Sequence, residues 1–336
     1  MKTILKILLE GKSLTESEAE TALGMMLDGS ASPEQIGAAL AAIQVRGETK
    51  DEIVGFLAAV DSRAIRVALP MGNAFDTCGT GGDGTQTFNI STATALLLAA
   101  CGVRVAKHGN RSVSSQSGSA DVLEALGIPI DLSPAEAASA IEKKGFGFLY
   151  APKYHATFAA VGPIRRALGT RTVFNLLGPL ANPAPVDRRI VGLFDIGRLS
   201  LIAGVLQKRG EKEAMVVAST DGMDEISLSA PTKVAHLKNG QVTLYEVKPE
   251  DFGVKSAPLE KLRGADAKFN AKIIEGVLRG SITGPCLDVV LINTAAALAV
   301  AGLVSDFREG VEMARVPIVS GKAGKVLESI RQGEGS

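Results

Sequence analysis

Apolar residues recur at helical spacing through roughly the first 65 residues of the 336-residue chain. One stretch follows the i, i+3, i+4, i+7 pattern with Ile36, Ala39, Leu40 and Ile43. That pattern places the four side chains on one face of a helix. Three Ser/Thr-x-x-Glu/Gln capping boxes precede apolar stretches and start at Thr15, Ser32 and Thr49. Because a capping box satisfies free N–H groups at a helix start, this region is predicted to contain helices only.

From about Phe75 the pattern changes to short apolar runs that alternate with amphipathic stretches. Strands are predicted at residues 75–78, 103–107, 146–150, 189–194 and 214–219, with helices at about 91–101, 118–126, 134–144 and 198–209. An antiparallel pair is predicted over 232–247, followed by helices at about 266–279, 286–302 and 320–331. Repeated βα units imply a largely parallel sheet that is covered on both sides.

These patterns predict an α/β protein with a small N-terminal helical domain and a large domain. The large domain has a mostly parallel central sheet flanked by helices. The helical domain would span residues 1–68 and the large domain residues 72–332. A helical unit of this size cannot bury all of its apolar surface alone. We therefore expect it to form a homodimer, or to be completed by a returning segment near residues 165–185.

Two loops rich in glycine, hydroxyl groups and basic side chains flank the first helix of the large domain. The first loop spans residues 76–84 and leads to Ser91 and Thr92, and the second spans residues 107–115. Glycines let the backbone approach a ligand closely, and successive N–H groups then form an anion site. Ser91 and Thr92 stand where the helix begins, so hydroxyls meet the positive end of the helix dipole. Two such loops suit a ligand with more than one phosphate group.

Neither common nucleotide-binding fingerprint accounts for the first loop. Gly79-x-Gly81-x-x-Gly84 formally satisfies the dinucleotide motif, but the next strand ends in a lysine where an acidic residue is expected. The P-loop motif fails as well, because Thr85 stands where it requires a lysine. Simple tight turns would not need so many hydroxyl and basic groups together. The loops are therefore interpreted as a phosphate site of another kind.

Composition narrows the class of protein. Lys and Arg together number 36, as do Asp and Glu, which argues against bulk electrostatic binding to nucleic acid. The three cysteines lack metal-binding spacing and fit a reducing cytoplasm. Charged residues interrupt any signal-peptide core near the N-terminus. The longest apolar run, residues 287–304, contains Asp288, Asn293 and Thr294, so a buried helix is predicted and no membrane partner.

Two adjacent carboxylates, Asp224 and Glu225, follow the strand that is predicted to end near Ser219. Open parallel sheets bind ligands at the carboxyl ends of their strands. Oxygen ligands of this kind suit Mg²⁺, which usually binds through few carboxylates together with substrate phosphates. From the residues alone, a solvated acidic turn is an equally good interpretation.

Four motifs together resemble those of the anthranilate phosphoribosyltransferase family and occur in that family's order. They are GTGGD at 79–83, FNISTA at 88–93, KHGNRSVSS at 107–115 and FNLLGPLANPA at 174–184. The resemblance extends from the N-terminal helices to about residue 305 and implies a nucleoside phosphorylase/phosphoribosyltransferase-like fold. It also implies transfer of phosphoribose from phosphoribosyl pyrophosphate (PRPP) to the amine of anthranilate, giving N-(5-phosphoribosyl)anthranilate and pyrophosphate. In that family this is the second step of tryptophan biosynthesis from chorismate.

The resemblance also assigns roles to residues of this chain. PRPP would contact Gly79, Gly82, Asp83, Thr87, Asn89, Ile90, Ser91, Thr92, Lys107, His108, Gly109, Asn110, Arg111, Ser112, Val113, Ser114, Ser115 and Ser119. Anthranilate would contact Gly79, Asn110 and Arg165; a guanidinium is well shaped to hold its carboxylate through two hydrogen bonds. Mg²⁺, expected as a pair of ions per monomer, would be held by Ser91, Asp224 and Glu225. No side chain stands out as an obligatory catalytic base.

Several roles stay open from the sequence. A carboxylate beside a phosphate is repulsive, so Asp83 could orient loop amides, bind ribose hydroxyls or bind a metal. Contact with a ligand is expected for His108 and left open for His155, whereas His236 is interpreted as structural. Segment 178–183 carries no acid or base, so it is assigned a shape role, as a rigid lining of the aromatic-acid path or a hinge partner.

Two other functions belong to the same fold class. A pyrimidine nucleoside phosphorylase would bind free phosphate through a lysine-led loop motif, and this sequence has residues 108–111 in place of it. A non-catalytic nucleic-acid-binding relative would carry a strong basic excess and would have lost the metal acids. The zero net charge and the intact Asp224-Glu225 pair oppose that alternative.

Overall fold

The computed structural model describes residues 1–112 and 116–332. Four helices form the N-terminal region: α1 Lys2–Leu9, α2 Glu16–Leu27, α3 Pro33–Arg46 and α4 Lys50–Asp61. All three predicted capping boxes are formed, and each hydroxyl accepts a hydrogen bond from a backbone N–H in the first turn of its helix. The prediction of an all-helical N-terminal region is therefore confirmed.

A seven-stranded sheet forms the centre of the remaining chain. Its strands are β1 Ala74–Gly79, β2 Val105–Gly109, β3 Phe146–Tyr150, β4 Val186–Gly192, β5 Glu213–Ser219, β6 Thr232–Lys238 and β7 Gln241–Val247. They lie in the order β3-β2-β1-β4-β5-β6-β7. Strands β1 to β5 pair in parallel, and β6 and β7 are added antiparallel. The predicted fold class is confirmed, including the antiparallel pair at one edge.

Helices cover both faces of this sheet. They are α5 Ile90–Ala100, α6 Ser119–Ala125, α7 Pro134–Lys144, α8 Ala151–Tyr154, α9 Gly162–Leu168, α10 Phe174–Leu177, α11 Leu199–Lys208, α12 Ala267–Leu278, α13 Pro285–Ala301, α14 Phe307–Val319 and α15 Lys322–Arg331. The sequence pattern does not predict α14, because Gly310 and Pro317 usually interrupt helices. The helix forms because Gly310 lets it lie close against Ala295 of α13, where inward side chains such as Ala314 are buried.

The sheet separates two large hydrophobic cores, since successive residues of a strand point to opposite faces. In β4, Ile190 belongs to the core formed with α5, α12 and α13. Its neighbour Val191 belongs to the core formed with the N-terminal helices, α11 and apolar residues between 161 and 181. We call this second cluster the shared core. The apolar surface of the N-terminal helices is thus covered on one side by the sheet and by a returning segment.

Helix α13 corresponds to the longest apolar run of the sequence. Its polar residues Asn293 and Thr294 are both buried, as expected for a helix packed inside the protein. Within the described residues, no helix is long and apolar enough to cross a lipid bilayer.

Candidate active site

The carboxyl ends of β1 and β4 form the floor of the candidate site. Gly79 ends β1 and is in register with Gly192, which ends β4. A Cβ atom at Gly79 would overlap with the Asp224 carboxylate, and one at Gly192 would overlap with the Asp224 backbone. Both positions therefore need glycine if Asp224 is to lie against the sheet edge. The Asp224 carboxylate also accepts a hydrogen bond of 2.8 Å from the Gly81 N–H of the first loop.

Three carboxylates converge beside the first loop. Oxygen atoms of Asp83, Asp224 and Glu225 lie within 4.8 Å of one another. Burial raises the pKa of Asp224 to about 6, and the charge of Asp83 adds to the effect. Burial and the charges of both neighbours also hold the pKa of Glu225 well above its usual range. One Glu225 oxygen is buried with no hydrogen-bond partner in the described part of the chain, so these crowded oxygens fit a divalent cation such as Mg²⁺.

The structure places a third acid and a buried lysine close to the two acids that the sequence predicts as metal ligands. Asp83, whose role the sequence leaves open, joins the pair of acids. Ser91 is near the start of α5, where its hydroxyl is 3.5 Å from the Lys107 ammonium. Lys107 is buried and donates a hydrogen bond of 2.6 Å to the Thr77 carbonyl. Burial lowers the pKa of Lys107, which the negative groups around it oppose; its charge therefore acts from beneath the first loop.

Asn89, which precedes α5, connects the start of that helix to Ser117 and to α12. Its side-chain amide donates to the Ser117 carbonyl at 3.0 Å, and its side-chain oxygen accepts from the Asn270 amide at 3.0 Å. Helix α5 begins at Ile90, and the hydroxyl of Thr92 is buried without a hydrogen-bond partner among the described residues. The predicted cluster of polar groups at this helix start is therefore present, and Asn270 comes to it from α12.

The second loop is closed by Asp121 of α6. The Asp121 carboxylate accepts hydrogen bonds from the N–H groups of Ser112 at 3.0 Å and Gly118 at 2.9 Å. Arg111 forms ion pairs of 2.9 Å with Asp121 and Glu124. The positive charge that the sequence assigns to this loop is thus partly compensated by α6.

Other predicted PRPP contacts of this loop lie at its two ends. Gly109 ends β2, Asn110 is exposed, and the Ser119 hydroxyl donates to the Asn110 carbonyl at 3.3 Å. Val113, Ser114 and Ser115 lie outside the described residues. This hydrogen bond therefore joins Asn110 to the start of α6.

A row of rings leads away from the second loop towards Arg165. The ring centroids of His108 and His155 are 5.1 Å apart, and His155 stacks on Phe158 at 5.4 Å. Phe158 meets Phe174 edge to face at 5.5 Å, and the Arg165 guanidinium lies 5.1 Å from the centre of the Phe174 ring. We call these five side chains the ring path. Three of the four rings are buried and Phe158 is half-buried; aromatic side chains of this kind suit contact with a flat aromatic ligand.

The two histidines of the ring path are fixed by backbone carbonyls. His108 Nδ1 lies 3.1 Å from the Gly178 carbonyl, and His155 Nε2 lies 2.8 Å from the Ala181 carbonyl. Since a carbonyl accepts only, each of these ring nitrogens carries the hydrogen. Burial lowers the pKa of His108 to about 3, so its imidazole is neutral near pH 7. His236, predicted as structural, contacts Glu213 and Tyr245 within the sheet, away from this path.

Arg165 ends the ring path with an available positive charge. Its side chain is half-buried, and burial lowers the pKa of its guanidinium. Within the described residues no acid pairs with it. Arg166, the next residue, is exposed. At the end of the ring path Arg165 therefore presents a guanidinium with no acid partner in the described part of the chain, and its contact with a carboxylate stays a prediction.

Segment 178–182 is held against the parallel strands by buried polar side chains. Arg189 of β4 donates to the Pro179 carbonyl at 3.2 Å. The Asn182 amide donates to Asp76 of β1 at 2.8 Å. Desolvation raises the pKa of the buried Asp76 carboxyl group. The segment anchored in this way also carries the Gly178 and Ala181 carbonyls that accept from the two histidines. Its shape role stays a prediction.

Some contacts of the site have no local signal in the sequence. Arg171 follows α9 and donates to the Gly82 carbonyl, while its guanidinium lies 3.6 Å from the centre of the Phe194 ring. Thr87, a predicted PRPP contact, forms an isolated β-bridge with Arg263. These residues are far apart along the chain, so only the folded structure brings them together.

Family models and solved structures show the class of protein to which this chain belongs. The a/b domain of the glycosyl transferase family matches residues 71–324, and the helical bundle domain of that family matches residues 2–64. A crystal structure of anthranilate phosphoribosyltransferase from Thermus thermophilus superposes with a TM-score of 0.91 at 38% identity, covering 98% of each chain. The enzyme from Saccharomyces cerevisiae in complex with PRPP and Mg gives 0.90 at 30% identity, covering 98% of this chain and 96% of that one.

Sequence comparison narrows the class further. The chain is 50% identical to anthranilate phosphoribosyltransferase from Symbiobacterium thermophilum, over 99% of this chain and 97% of that protein. It is 47% identical to the enzyme from Thioalkalivibrio sulfidiphilus, over 98% of this chain and 97% of that protein. The chain belongs to the anthranilate phosphoribosyltransferase family, and the resemblance inferred from the four motifs is confirmed.

Proposed function

We propose that this protein transfers phosphoribose from PRPP to the amine of anthranilate and releases pyrophosphate, as a step of tryptophan biosynthesis. The observation that carries this proposal is the arrangement at one edge of the sheet. An acid cluster and two glycine-rich loops adjoin a ring path, and the arginine at its end has no acid partner among the described residues. Yeast relatives bound to PRPP with Mg and to 4-fluoroanthranilate share the fold, with TM-scores of 0.90 and 0.89.

The phosphate side of the site would be organised by charge. Asp224 and Glu225, with Asp83 beside them, would hold Mg²⁺. When bound, Mg²⁺ neutralises negative charge that develops on a leaving pyrophosphate. Backbone N–H groups of the first loop and of the start of α5 orient the phosphates. The buried Lys107 ammonium adds positive potential beneath them.

The acceptor side of the site would position the amine. Arg165 binds the anthranilate carboxylate, and the ring path contacts the aromatic ring. The bond from ribose C1 to the pyrophosphate oxygen breaks with its electron pair going to pyrophosphate, and the nitrogen lone pair forms the new bond to C1. The nitrogen then loses one proton to the released pyrophosphate or to water. Holding the two reactants in contact supplies much of the rate enhancement. An aromatic amine is already unprotonated near neutral pH, so the reaction need not begin with proton removal by a side chain.

Loss of anthranilate fluorescence on addition of PRPP and Mg²⁺ tests this function. The controls omit PRPP in one sample and chelate the metal in another. A parallel assay supplies pyrimidine nucleoside and phosphate, the substrates of the competing phosphorylase. Phosphorolysis without any consumption of anthranilate would overturn the proposal.

The number of metal ions, the oligomeric state, the cellular location and the domain boundaries are further parts of this proposal. We infer a pair of Mg²⁺ ions per monomer, a homodimer formed through the N-terminal helices, and a cytoplasmic location. We also propose the division into a helical domain, residues 1–68, and an α/β domain, residues 72–332. The substrate and metal contacts stand as proposed roles of the residues named above. Metal titration, sedimentation, cell fractionation, limited proteolysis and site-directed variants test these features separately.

A further inference from the structure

Helix α13 places a polar side chain directly behind the acid pair. Asn293 is buried, and its side-chain oxygen accepts a hydrogen bond of 3.0 Å from the Ile226 N–H. Its amide nitrogen donates to the Ile226 carbonyl at 2.9 Å and to the Val289 carbonyl at 2.9 Å. One carboxamide thus holds both backbone polar groups of the residue that follows Glu225. The Ile226 N–H belongs to the same peptide unit as the Glu225 carbonyl, so this contact also fixes the backbone of Glu225.

The acid pair needs such a support, because two carboxylates that are both ionised when they bind a metal repel each other. The turn that carries them is closed on its outer side by Asp221, which accepts hydrogen bonds of 2.6 Å from the Ser227 hydroxyl and 3.3 Å from the Met223 N–H. On its inner side, Met223 and Ile226 are buried in the core beneath the sheet edge. Like charges in a poorly solvated place would drive the two carboxylates apart unless the backbone between these anchors were held.

We propose that Asn293 is a positioning residue for the acid pair: by holding the peptide groups on both sides of Ile226, it sets how Asp224 and Glu225 face a divalent cation. The inference rests on the proposed metal role of these acids. Groups that orient metal ligands through hydrogen bonds typically change metal affinity by about 10- to 100-fold when they are removed. Asn293 lies on a helix that contributes no ligand of its own, so its effect passes through the backbone of the turn.

The test replaces Asn293 by Leu, which has a similar size and no hydrogen-bonding group. Thr294→Val is the matched control, because Thr294 is the next residue, is equally buried, and donates only to the Val290 carbonyl of its own helix. Asn293→Ser is a milder variant that leaves room for a water molecule and keeps a hydroxyl group. Mn²⁺ binding in the presence of PRPP is followed by the electron paramagnetic resonance signal of the free ion. Turnover across a Mg²⁺ titration and thermal melting are measured beside it.

For Asn293→Leu we expect Mn²⁺ affinity to fall about tenfold and the Mg²⁺ concentration for half-maximal turnover to rise equally. The KM for anthranilate at saturating Mg²⁺ should stay near that of the parent protein. Thr294→Val should melt at a lower temperature and retain the parent metal affinity. If Asn293→Leu does not fold, the Mn²⁺ affinity of Asn293→Ser tests the inference instead, and we expect a smaller loss of affinity for that variant.

Two results would overturn the inference. One is parent-like metal affinity in a folded Asn293 variant, and the other is an equal loss of affinity in Thr294→Val. A parent protein that binds no Mn²⁺ with PRPP would instead overturn the proposed metal role itself.

Discussion

The charged side chains of the site have very different partners. Asp83, Asp224 and Glu225 crowd together, whereas Arg165 packs on the Phe174 ring and has no acid partner within the described residues. Each arrangement leaves charge available for a ligand of opposite sign. In the sequence, Asp224 and Glu225 stand out as adjacent acids after a strand, and their metal role, like the substrate role of Arg165, is what the family resemblance implies. Asp83 joins the acids only because the first loop folds across the sheet edge, which no local pattern encodes.

Asp224→Asn combined with Glu225→Gln should abolish most activity and leave the fold intact. Burial and neighbouring charge raise the pKa of Asp224 from 3.8 to about 6, so the folded state binds more protons than the unfolded state between those values. Stability of the metal-free parent protein should therefore fall as pH rises through that interval, and the double variant should lose this contribution. Turnover across a Mg²⁺ titration and melting curves from pH 4 to 7 measure both effects. Parent-like turnover at limiting Mg²⁺ would exclude the metal role.

Arg165→Ala should mainly weaken the use of anthranilate. A charged hydrogen bond of this kind contributes roughly 1.5–3 kcal/mol, which corresponds to about a ten- to hundredfold loss of apparent affinity. Arg165→Lys should restore only part of it, because an ammonium cannot reproduce the two-pronged contact of a guanidinium. Separate saturation curves for the two substrates provide the measurement, with the exposed Arg166→Ala as control. A rise in the KM for PRPP alone would assign Arg165 to the phosphate site.

Among secondary-structure elements, each predicted strand is present, because short apolar runs between turn residues identify buried strands well. Their ends are less predictable, as β2 illustrates. The Val103 N–H closes α5 by bonding the Leu98 carbonyl at 3.2 Å, so the strand starts at Val105 instead of residue 103. The sequence pattern also fails to predict helix α14. Its glycine and proline indicate a break locally, and only the packing against α13 makes a helix favourable there.

Gly192→Ala should lower activity by displacing the acid turn rather than by removing a functional group. The new Cβ atom would overlap with the Asp224 backbone, so the end of β4 and the acid turn cannot keep their present contact. We expect at least a tenfold loss of turnover and a weaker response to Mg²⁺, in line with the loss of a metal-orienting contact. Gly37→Ala is the control, since its Cβ atom would meet nothing within 4 Å in α3. Full activity of Gly192→Ala would show that the turn can move without consequence.

On the scale of the whole molecule, the N-terminal helices present apolar side chains to solvent. Leu9 of α1 is 74% exposed and Val45 of α3 is 89% exposed, and the two helices are in contact. Closed symmetric dimers are the commonest way in which proteins cover such surfaces. This supports the proposed homodimer, although Val316 of α14 is also 64% exposed.

Leu9→Glu combined with Val45→Glu should shift the protein to monomers, because two carboxylates per chain would have to be buried in the interface. Sedimentation velocity at micromolar concentration measures the change. Val316→Glu, at the exposed position on α14, is the matched control and should leave the oligomeric state unaltered. A parent protein that is already monomeric and fully active would contradict the proposed homodimer.

The shared core also determines how the chain unfolds. Leu57 of α4, Leu177 of α10 and Ile202 of α11 are buried in it together, and Lys208 of α11 pairs with Asp51 of α4 at 2.9 Å. Unfolding of the N-terminal helices would therefore expose one face of the sheet to solvent. Calorimetry should show a single transition whose calorimetric enthalpy equals its van't Hoff enthalpy; two resolved transitions would argue against it. For protein engineering, a cut between residues 68 and 72 would leave the apolar surface of the shared core exposed on both fragments.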